Sequence, residues 1–163
     1  MFTSSSKAII YGRHLDVAQR MLDFDFLSGR SSSVAGIIDP NSHRVSVTKL
    51  FFGKKELLIS IYPNISDVPK DSQIDTFINL ASFRSATSAT WEAIHSNIFS
   101  NIVIIAEGIP ERDIRDIIAY NDANAKIRII GPATAGAIAA GALRMGNSGG
   151  SIENIVASGL HKK

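Results

Sequence analysis

The segments Phe77 to Ser85 (FINLASFRS) and Ile104 to Pro110 (IIAEGIP) are the most informative part of the sequence. Each starts as a short apolar run and stops abruptly at small or polar residues, the first at ASFRS and the second at EGIP. A strand buried on both faces of a parallel sheet is apolar throughout, and open α/β folds bind ligands just beyond the carboxyl ends of their strands. The two runs therefore predict buried parallel strands, and the polar residues after them predict a ligand site.

Similar short runs rich in isoleucine and valine recur along the chain, and they alternate with helical patterns. The predicted strands cover residues 8–11, 34–38, 57–62, 77–80, 102–106 and 127–130. Helical periodicity covers 15–27, with Phe24 or Asp25 continuing its apolar face, and 87–96, with Trp91 and Ile94 as core contacts. A third helix begins at Pro110, with Ile114, Ile117 and Ile118 at helical spacing. This alternation predicts an α/β fold: a Rossmann-like, open, mainly parallel sheet with helices on both faces, in a single domain over residues 1–163.

The stretch 45–62 (VSVTKLFFGKKELLISIY) departs from that alternation. It contains two extended runs joined near Gly53, which predicts a hairpin at the edge of the sheet. The segments 28–34 and 146–151 are rich in glycine and serine and are predicted to be loops.

Composition excludes several classes of protein. The 163 residues include no cysteine, which rules out a disulfide framework and a thiolate nucleophile, and the net charge of +2 is spread along the chain rather than gathered in a stripe that would bind nucleic acid. No apolar run approaches the roughly 20 residues of a membrane span, and the start lacks the apolar core of a signal peptide. The four histidines are scattered, so no metal site is predicted. We expect a cytoplasmic domain that binds neither nucleic acid nor membrane.

The first predicted strand ends at Gly12 and Arg13, directly before a helix. A glycine turn and the free N–H groups of a helix N-terminus together form an anion site. The glycine set G-x-G-x-x-G of dinucleotide-binding domains is incomplete here, because only Gly12 is present. Asp39 could serve as the ribose-binding acid of such a domain, but an Asp-Pro turn explains it better. Nicotinamide cofactor binding is therefore disfavoured.

Ser82, Phe83 and Arg84 offer a hydroxyl, an aromatic face and a guanidinium, which suit a phosphate-bearing adenine ligand. The alternative is an ordinary helix start in which Ser82 or Ser85 caps the helix and Arg84 is solvated. The sequence leaves both interpretations open.

Glu107 and the turn Gly131 to Gly136 complete the candidate residues. Glu107 ends a central strand, where a carboxylate faces the ligand crevice; a capping role for the following helix is the alternative. The turn GPATAG follows the last clear strand and permits close approach of a ligand to the backbone, although a purely structural turn explains it equally well.

Taken in order, the motifs resemble the CoA-binding domain of the ATP-citrate lyase family, which is related to the α subunit of succinyl-CoA synthetase. The resemblance runs from about Lys7 to Ser158. EGIP and IGP are shared with the wider acid–CoA ligase superfamily, whereas NLASFRS and MLDFDF point more narrowly to ATP-citrate lyase. The motifs that carry it are IIYG, MLDFDF, FINLASFRS, IIAEGIPE, IIGPATAG and MGNSGGSIENIVAS.

The resemblance implies a Rossmann-like domain that binds CoA in an enzyme that uses ATP to form citryl-CoA through citryl-phosphate and cleaves it to acetyl-CoA and oxaloacetate. By that implication, Ser82, Phe83 and Arg84 hold the adenine and phosphate end of CoA, and Gly12 and Arg13 face the same ligand. Glu107 matches the family's functional glutamate, which lies near the phosphohistidine. The remaining matched residues, beside the thiol and the acyl phosphate, are Gly131, Pro132, Ala133 and Thr134.

Two departures from the family limit what the resemblance carries over. The glycine-rich first turn of succinyl-CoA synthetase is replaced by YGRHLDVAQ, so phosphate contacts cannot be copied from that branch. The family's phosphohistidine domain, ATP-grasp part and lyase module are absent from these 163 residues.

We therefore expect the isolated chain to bind CoA without complete turnover, with ATP and Mg needed only in the complete enzyme. The expected partners are the remaining domains or subunits of the ligase, including a possible homo-oligomer of the full enzyme. A succinyl-CoA synthetase-like ligase domain and a non-catalytic nucleotide- or NAD-binding module are the alternatives.

Overall fold

Strands and helices alternate along the chain in the computed structural model, which describes residues 2–70 and 73–162. The strands are β1 (Ala8–Tyr11), β2 (Val34–Ile38), β3 (Ser46–Phe52), β4 (Lys55–Tyr62), β5 (Thr76–Asn79), β6 (Asn101–Ile104), β7 (Arg128–Ile130), β8 (Gly136–Ala139) and β9 (Leu143–Gly146). The α-helices are α1 (Leu15–Leu27), α2 (Ala86–His95), α3 (Glu111–Tyr120) and α4 (Ile152–Ala157). The predicted domain also takes in residues 1, 71, 72 and 163, which lie outside the described residues.

Seven strands form one sheet in the order β3-β4-β2-β1-β5-β6-β7. All neighbours pair in parallel except β3, which pairs antiparallel with β4 at the edge. The predicted open, mainly parallel sheet is confirmed. Because β1 lies between β2 and β5, the chain builds the sheet first to one side of β1 and then to the other. This reversal of strand order is the topological switch point where ligands bind in doubly wound α/β folds.

The core lies on both faces of the sheet, which explains why the central strands β1, β5 and β6 are buried at every position. On one face, Met21 and Leu22 of α1 pack with Ile10 and Ile78. On the other face, the buried side of α2 and Ile117 of α3 pack against residues of β1, β5 and β6. The prediction of helices on both faces is confirmed.

The helices differ from prediction in small ways. α1 has the predicted bounds, whereas α2 begins and ends one residue earlier than expected. In α3, Ile117 is buried but Ile118 is 50% exposed, so the expectation that Ile118 shares the apolar face is wrong. Successive residues of a helix are about 100° apart, which turns Ile118 toward solvent once Ile114 and Ile117 face the core. Among the described residues, no helix has the length and apolar character required to cross a membrane.

The described chain has one hairpin at the edge of the main sheet and a second hairpin outside it, and only the first was predicted. β3 and β4 pair from Ser46↔Ile61 to Phe52↔Lys55 around Gly53, which confirms the predicted edge hairpin. The second hairpin, β8 and β9, and the short helix α4 were not expected, because the sequence there was interpreted as a turn followed by a loop. Leu143 and Met145 of β9 are fully buried in the cluster that contains the apolar side of α1. The hairpin thus completes the cover on that face.

A buried ion pair joins three segments at the amino-terminal end of the sheet. Asp25, at the end of α1, lies 3.6 Å from the Nε of Arg30 and accepts hydrogen bonds from the amide and hydroxyl of Ser33, at 2.6 and 2.7 Å. Arg30 also donates to the carbonyls of Ser6 and Ala142. Burial raises the pKa of Asp25 to about 6, against the opposing effects of Ser33 and Arg30.

We predict that ionisation of Asp25 destabilises the fold. Its pKa is raised from 3.8 to about 6 on folding, so its contribution to stability is complete below about pH 4 and is lost as the pH rises through 6, by about 3 kcal/mol. The measurement is the free energy of unfolding of the parent chain minus that of Asp25→Asn between pH 4 and 7. A difference that instead grows with pH would show that the ion pair with Arg30 outweighs burial.

Candidate functional site

Every residue predicted for the site lies beyond the carboxyl ends of the parallel strands, just after β1, β5, β6 or β7. We call this end of the sheet its carboxyl edge. The strand ends are in register: Tyr11 pairs with Asn79, and Asn79 pairs with Ile104. β7 continues the row beside β6, where Val103 pairs with Ile130. Four loops that are up to about 120 residues apart in sequence therefore meet along one edge.

The turn after β1 is held tightly against its neighbours. Gly12 has a φ of +103°, a conformation that favours glycine, and its amide donates to the carbonyl of Ile38 at 2.8 Å. The His14 ring nitrogen Nε2 lies 3.1 Å from the carbonyl oxygen of Leu80, which connects the ends of β1 and β5. The N-cap residue of α1, His14, makes no side-chain capping hydrogen bond, so the turn places uncapped backbone amides at the crevice.

Arg13 extends outward from this turn, with its side chain 59% exposed and its guanidinium 3.6 Å from Asp39. Asp39 accepts a hydrogen bond from the amide of Asn41 at 3.0 Å and its side chain is almost fully buried. This geometry is that of the Asp-Pro turn, not of an acid exposed for a ribose. The guanidinium of Arg13 is thus held by its ion pair with Asp39, while the side chain stays exposed and accessible to a ligand.

Asn79 at the end of β5 positions the next loop, a role that the sequence analysis missed. It is fully buried, and its amide nitrogen donates to the carbonyl of Ala86 and to the hydroxyl of Thr90, at 2.9 and 3.0 Å. Its side-chain oxygen accepts from the amide of Ala81 at 3.0 Å. One amide thus fixes both the loop after β5 and the start of α2. A polar residue in an otherwise apolar strand was the available signal.

The loop that Asn79 holds presents three exposed side chains, of which only Ser82 makes a side-chain hydrogen bond in the described chain, between its hydroxyl and that of Ser85 at 3.2 Å. Ser82, Phe83 and Arg84 are all exposed, Phe83 by 60%, and the Arg84 guanidinium carbon lies 5.4 Å from the centre of the Phe83 ring. Ser85 is the N-cap residue of α2, but its side chain makes no capping hydrogen bond. Within the described residues, Arg84 has no acidic partner. The arrangement offers a hydroxyl, an aromatic face and an unpaired cation to a ligand.

A cavity of about 410 Å³ lies between the ends of β1 and β5. That volume falls within the range of small-molecule sites. A larger cavity of about 790 Å³ lies at the opposite edge, around Arg30 and His161, away from the predicted site residues. The smaller cavity is lined by Tyr11, Gly12, His14, Pro40, Asn41, Leu80, Ala81, Ser82 and Ser85.

Glu107 follows β6 on the next strand of the edge. It is exposed and makes no hydrogen bond or ion pair within the described part of the chain, so the alternative of a capping role for α3 is not observed. Gly108, with φ +74°, adjoins Phe83: a Cβ there would lie 3.4 Å from the Phe83 Cβ. The glutamate therefore stands next to the loop that carries Arg84, with its carboxylate unused.

The turn after β7 is built onto the end of β6. A Cβ at Gly131 would lie 2.3 Å from the carbonyl oxygen of Ile104, and the amide of Ala133 donates to the carbonyl of Ala106 at 3.1 Å. The Thr134 hydroxyl bonds both the carbonyl and the amide of Gly136, at 3.1 and 3.2 Å. Pro132 follows Gly131 through a cis peptide bond. The turn after β7 is thus held by backbone contacts against the segment that leads to Glu107.

Fold and site together define a Rossmann-like α/β domain with a ligand crevice at the switch point of its sheet. No protein-family model matches the chain. Over 99% of its length, however, the chain is 44% identical to ATP-citrate synthase beta chain protein 1 of Oryza sativa. The structure of ATP citrate lyase from Methanothrix soehngenii in complex with citrate and coenzyme A matches it with a TM-score of 0.90, at 39% identity over 99% of the chain.

A second structure, the D541A mutant of Methanosaeta concilii ATP citrate lyase with (3S)-citryl-CoA, gives a TM-score of 0.89 at the same identity and coverage. The chain is therefore homologous, in sequence and in fold, to one part of the ATP-citrate lyases, which confirms the resemblance carried by the motifs. It spans 26% of the length of the rice protein and of the Methanothrix chain.

We predict that Gly131→Ala destabilises the domain by about 3–5 kcal/mol, because the new methyl would overlap the Ile104 carbonyl and the backbone has a φ of +105°. Gly29→Ala is the matched control, since Gly29 also has positive φ, at +65°, but nothing lies within 4 Å of its added Cβ. It should cost only about 1–2 kcal/mol. Equal losses in urea unfolding would mean that the turn does not pack against β6 as described.

Proposed function

We propose that the chain is the CoA-binding domain of an ATP-citrate lyase, contributing to the ATP-driven formation of citryl-CoA from citrate and CoA. One observation carries the proposal. Ser82, Phe83 and Arg84 present exposed side chains beside the glycine turn of β1, at the switch point of a fold that matches an ATP citrate lyase solved with CoA at a TM-score of 0.90.

The phosphate and adenine end of CoA would bind at the loop after β5. Arg84 supplies a planar, always charged guanidinium, which suits a phosphate group, and the exposed face of Phe83 suits an adenine ring. Ser82 adds a hydroxyl that can donate to phosphate or to the base. At the turn after β1, Gly12 would let the diphosphate approach the backbone and the uncapped amides at the start of α1 would receive it, with Arg13 as a second cation.

The thiol end would then extend toward Glu107 and the turn from Gly131 to Thr134. In the complete enzyme, the thiol sulfur attacks the acyl carbon of citryl-phosphate, and phosphate leaves as citryl-CoA forms. Glu107 would stabilise the imidazolium or phosphohistidine of the domain that delivers the phosphoryl group, through a charge-assisted hydrogen bond. The turn from Gly131 to Thr134 would offer phosphate oxygens the amide of Thr134, which donates no hydrogen bond in the described chain; Pro132 has no N–H, and the amide of Ala133 already donates to the carbonyl of Ala106.

The chain spans 26% of the length of the rice protein, and the rest of the reaction would fall to the parts of such a protein outside that span. ATP and Mg would be bound by the remaining domains or subunits of the ligase, which are the partners we propose, together with self-assembly of the full enzyme. Cleavage of citryl-CoA to acetyl-CoA and oxaloacetate would take place in a separate lyase module. We propose the cytoplasm as the compartment.

Calorimetric titration with CoA tests the proposal, with NAD and adenosine diphosphate as comparators. Selective, saturable binding of CoA is expected. Preference for NAD would support a nicotinamide-dependent module instead, and the absence of binding by a well-folded chain would contradict CoA binding by this domain alone.

Arg84→Ala should weaken CoA binding by about 1.5–3 kcal/mol, roughly 10- to 150-fold, because a hydrogen bond to a charged group is lost. Arg128→Ala is the matched control. Arg128 lies at the start of β7, at the amino-terminal ends of the strands, and its guanidinium donates to the side-chain oxygen of Asn101. The affinities are measured by calorimetry. If both variants bind CoA as tightly as the parent chain, Arg84 does not hold the phosphate.

Glu107→Gln should leave CoA affinity nearly unchanged but abolish turnover in a complete enzyme that contains this domain. The amide keeps the shape of the side chain but removes the negative charge that would stabilise a cationic imidazole. Glu111→Gln on α3 serves as the control, because Glu111 is exposed and pairs only with Arg115 in the described chain. Formation of acetyl-CoA is the measurement. Unchanged turnover in Glu107→Gln would remove this residue from the mechanism.

A further inference from the structure

Arg144 is the most unusual charged residue in the described chain. It lies in β9 between Leu143 and Met145, whose side chains enter the core, so the alternation of a strand directs Arg144 to the other side. On that side it is nevertheless fully buried, with 0% of its surface exposed. A buried arginine normally has a carboxylate or a full set of hydrogen bonds, because an isolated buried charge is costly.

The guanidinium of Arg144 has only part of that set. Its Nη2 donates to the carbonyl of Gly150 at 2.8 Å and lies 3.4 Å from the carbonyl of Asn147. Its Nε and Nη1 have no hydrogen-bond partner, and no described residue forms an ion pair with it. Burial lowers the pKa of Arg144 from its ordinary value and Arg20 lowers it further, while Asp23 opposes them. Arginine keeps its charge in proteins, so the site holds a buried positive charge that no described carboxylate meets in an ion pair.

The loop Gly146 to Gly150 accepts hydrogen bonds from Arg144, and the arrangement of its peptide groups suits an anion. Because Arg144 draws two loop carbonyls inward, the negative ends of those peptide groups face the buried guanidinium. The amides of Ser148 and Gly149 donate no hydrogen bond within the described chain. Gly149 and Gly150 have φ values of +83° and +65°, a backbone form that can gather amides around an anion.

A second cation adjoins the same loop. Arg20 of α1 is exposed, and its Nη1 donates to the side-chain oxygen of Asn147 at 2.9 Å. Two acids are close to this region: Asp23 of α1 accepts a hydrogen bond from the side chain of Gln19 at 2.9 Å, and hydrogen bonding with Ser151 lowers the pKa of the exposed Glu153. The loop therefore has one exposed and one buried guanidinium, and no carboxylate of the described residues forms an ion pair with either.

The loop also lies next to the reactive end of the proposed CoA site. The amide of Asn147 donates to the carbonyl of Ala135 at 3.0 Å, directly after Thr134. A Cβ at Gly146 would lie 2.4 Å from the Cδ1 of Ile105, which is two residues before Glu107. An anion bound at this loop would lie next to the turn from Gly131 to Thr134, which we assign to the thiol end of CoA.

We propose that the loop Gly146 to Gly150 binds an oxyanion, a carboxylate or phosphate group of the acyl substrate, with Arg20 contacting it and Arg144 balancing its charge from below. This inference rests on the proposed function, since it assigns the anionic part of the acid to the same edge as CoA. The buried guanidinium would act as a fixed counter-charge for a ligand that arrives and leaves.

The test is amide chemical-shift mapping by NMR of the ¹⁵N-labelled chain, titrated with inorganic phosphate and with citrate, at constant ionic strength held with chloride. The amides of Ser148, Gly149 and Gly150 should shift and saturate. The probe that binds more tightly identifies the group as phosphate or carboxylate. If neither probe moves these amides, the proposal is wrong.

Two variants show whether the guanidinium groups are responsible. Arg20→Gln alters an exposed residue and should weaken binding about tenfold, as expected for the loss of one charge-assisted contact. Arg144→Met should abolish the shifts; if it does not fold, Arg20→Gln alone decides. Arg128→Gln, at the far edge of the sheet, is the control and should bind as the parent does. Binding unchanged in Arg20→Gln would contradict the proposal.

A CoA titration on the same samples separates this inference from the proposed function. CoA binding without anion shifts at the loop would overturn the oxyanion site and leave the CoA site in place. Saturable shifts at the loop that are lost in Arg20→Gln would support the oxyanion site even if CoA did not bind.

Discussion

The pairing of β1 with β2 on one side and β5 on the other is the constraint on which the rest of the structure depends. Because all three strands run in parallel, their carboxyl ends meet, and the loops after β1 and β5 must leave in different directions. Their separation opens the crevice between Gly12 and Ser82. The hydrogen bond between the His14 ring and the Leu80 carbonyl joins the two loops at the base of the crevice.

Two kinds of residue lie at this edge: those that hold the loops in place and those whose side chains remain available to a ligand. Asn79 and Gly131 have structural roles. The side-chain amide of Asn79 donates hydrogen bonds to Ala86 and Thr90, and Gly131 lies so close to the Ile104 carbonyl that a Cβ at this position would overlap it. Arg84 and Glu107 are exposed and unpaired in the described chain. A rigid backbone that presents uncommitted polar groups loses little conformational entropy on binding, which favours recognition of a charged ligand such as CoA.

Much of this arrangement was predictable from the sequence, because buried parallel strands must be apolar and their ends need not be. The clusters after β5 and β6 were located in this way. Contacts between loops were not predictable: that Phe83 adjoins Gly108 depends on the register of two strands about 25 residues apart. The hairpin β8–β9 was missed because its four-residue strands are too short for a periodic signal. Arg144 was missed as well, since a charged residue in a short strand normally faces solvent.

The central claim is that the carboxyl edge of this sheet, and no other surface of the domain, binds CoA. The most direct measurement is amide chemical-shift mapping of the ¹⁵N-labelled chain with CoA. We expect the largest shifts at the four loops of that edge, residues 12–14, 81–85, 107–108 and 131–134. Shifts confined to another surface, such as the cavity of about 790 Å³ around Arg30 and His161 at the opposite edge, would contradict the account.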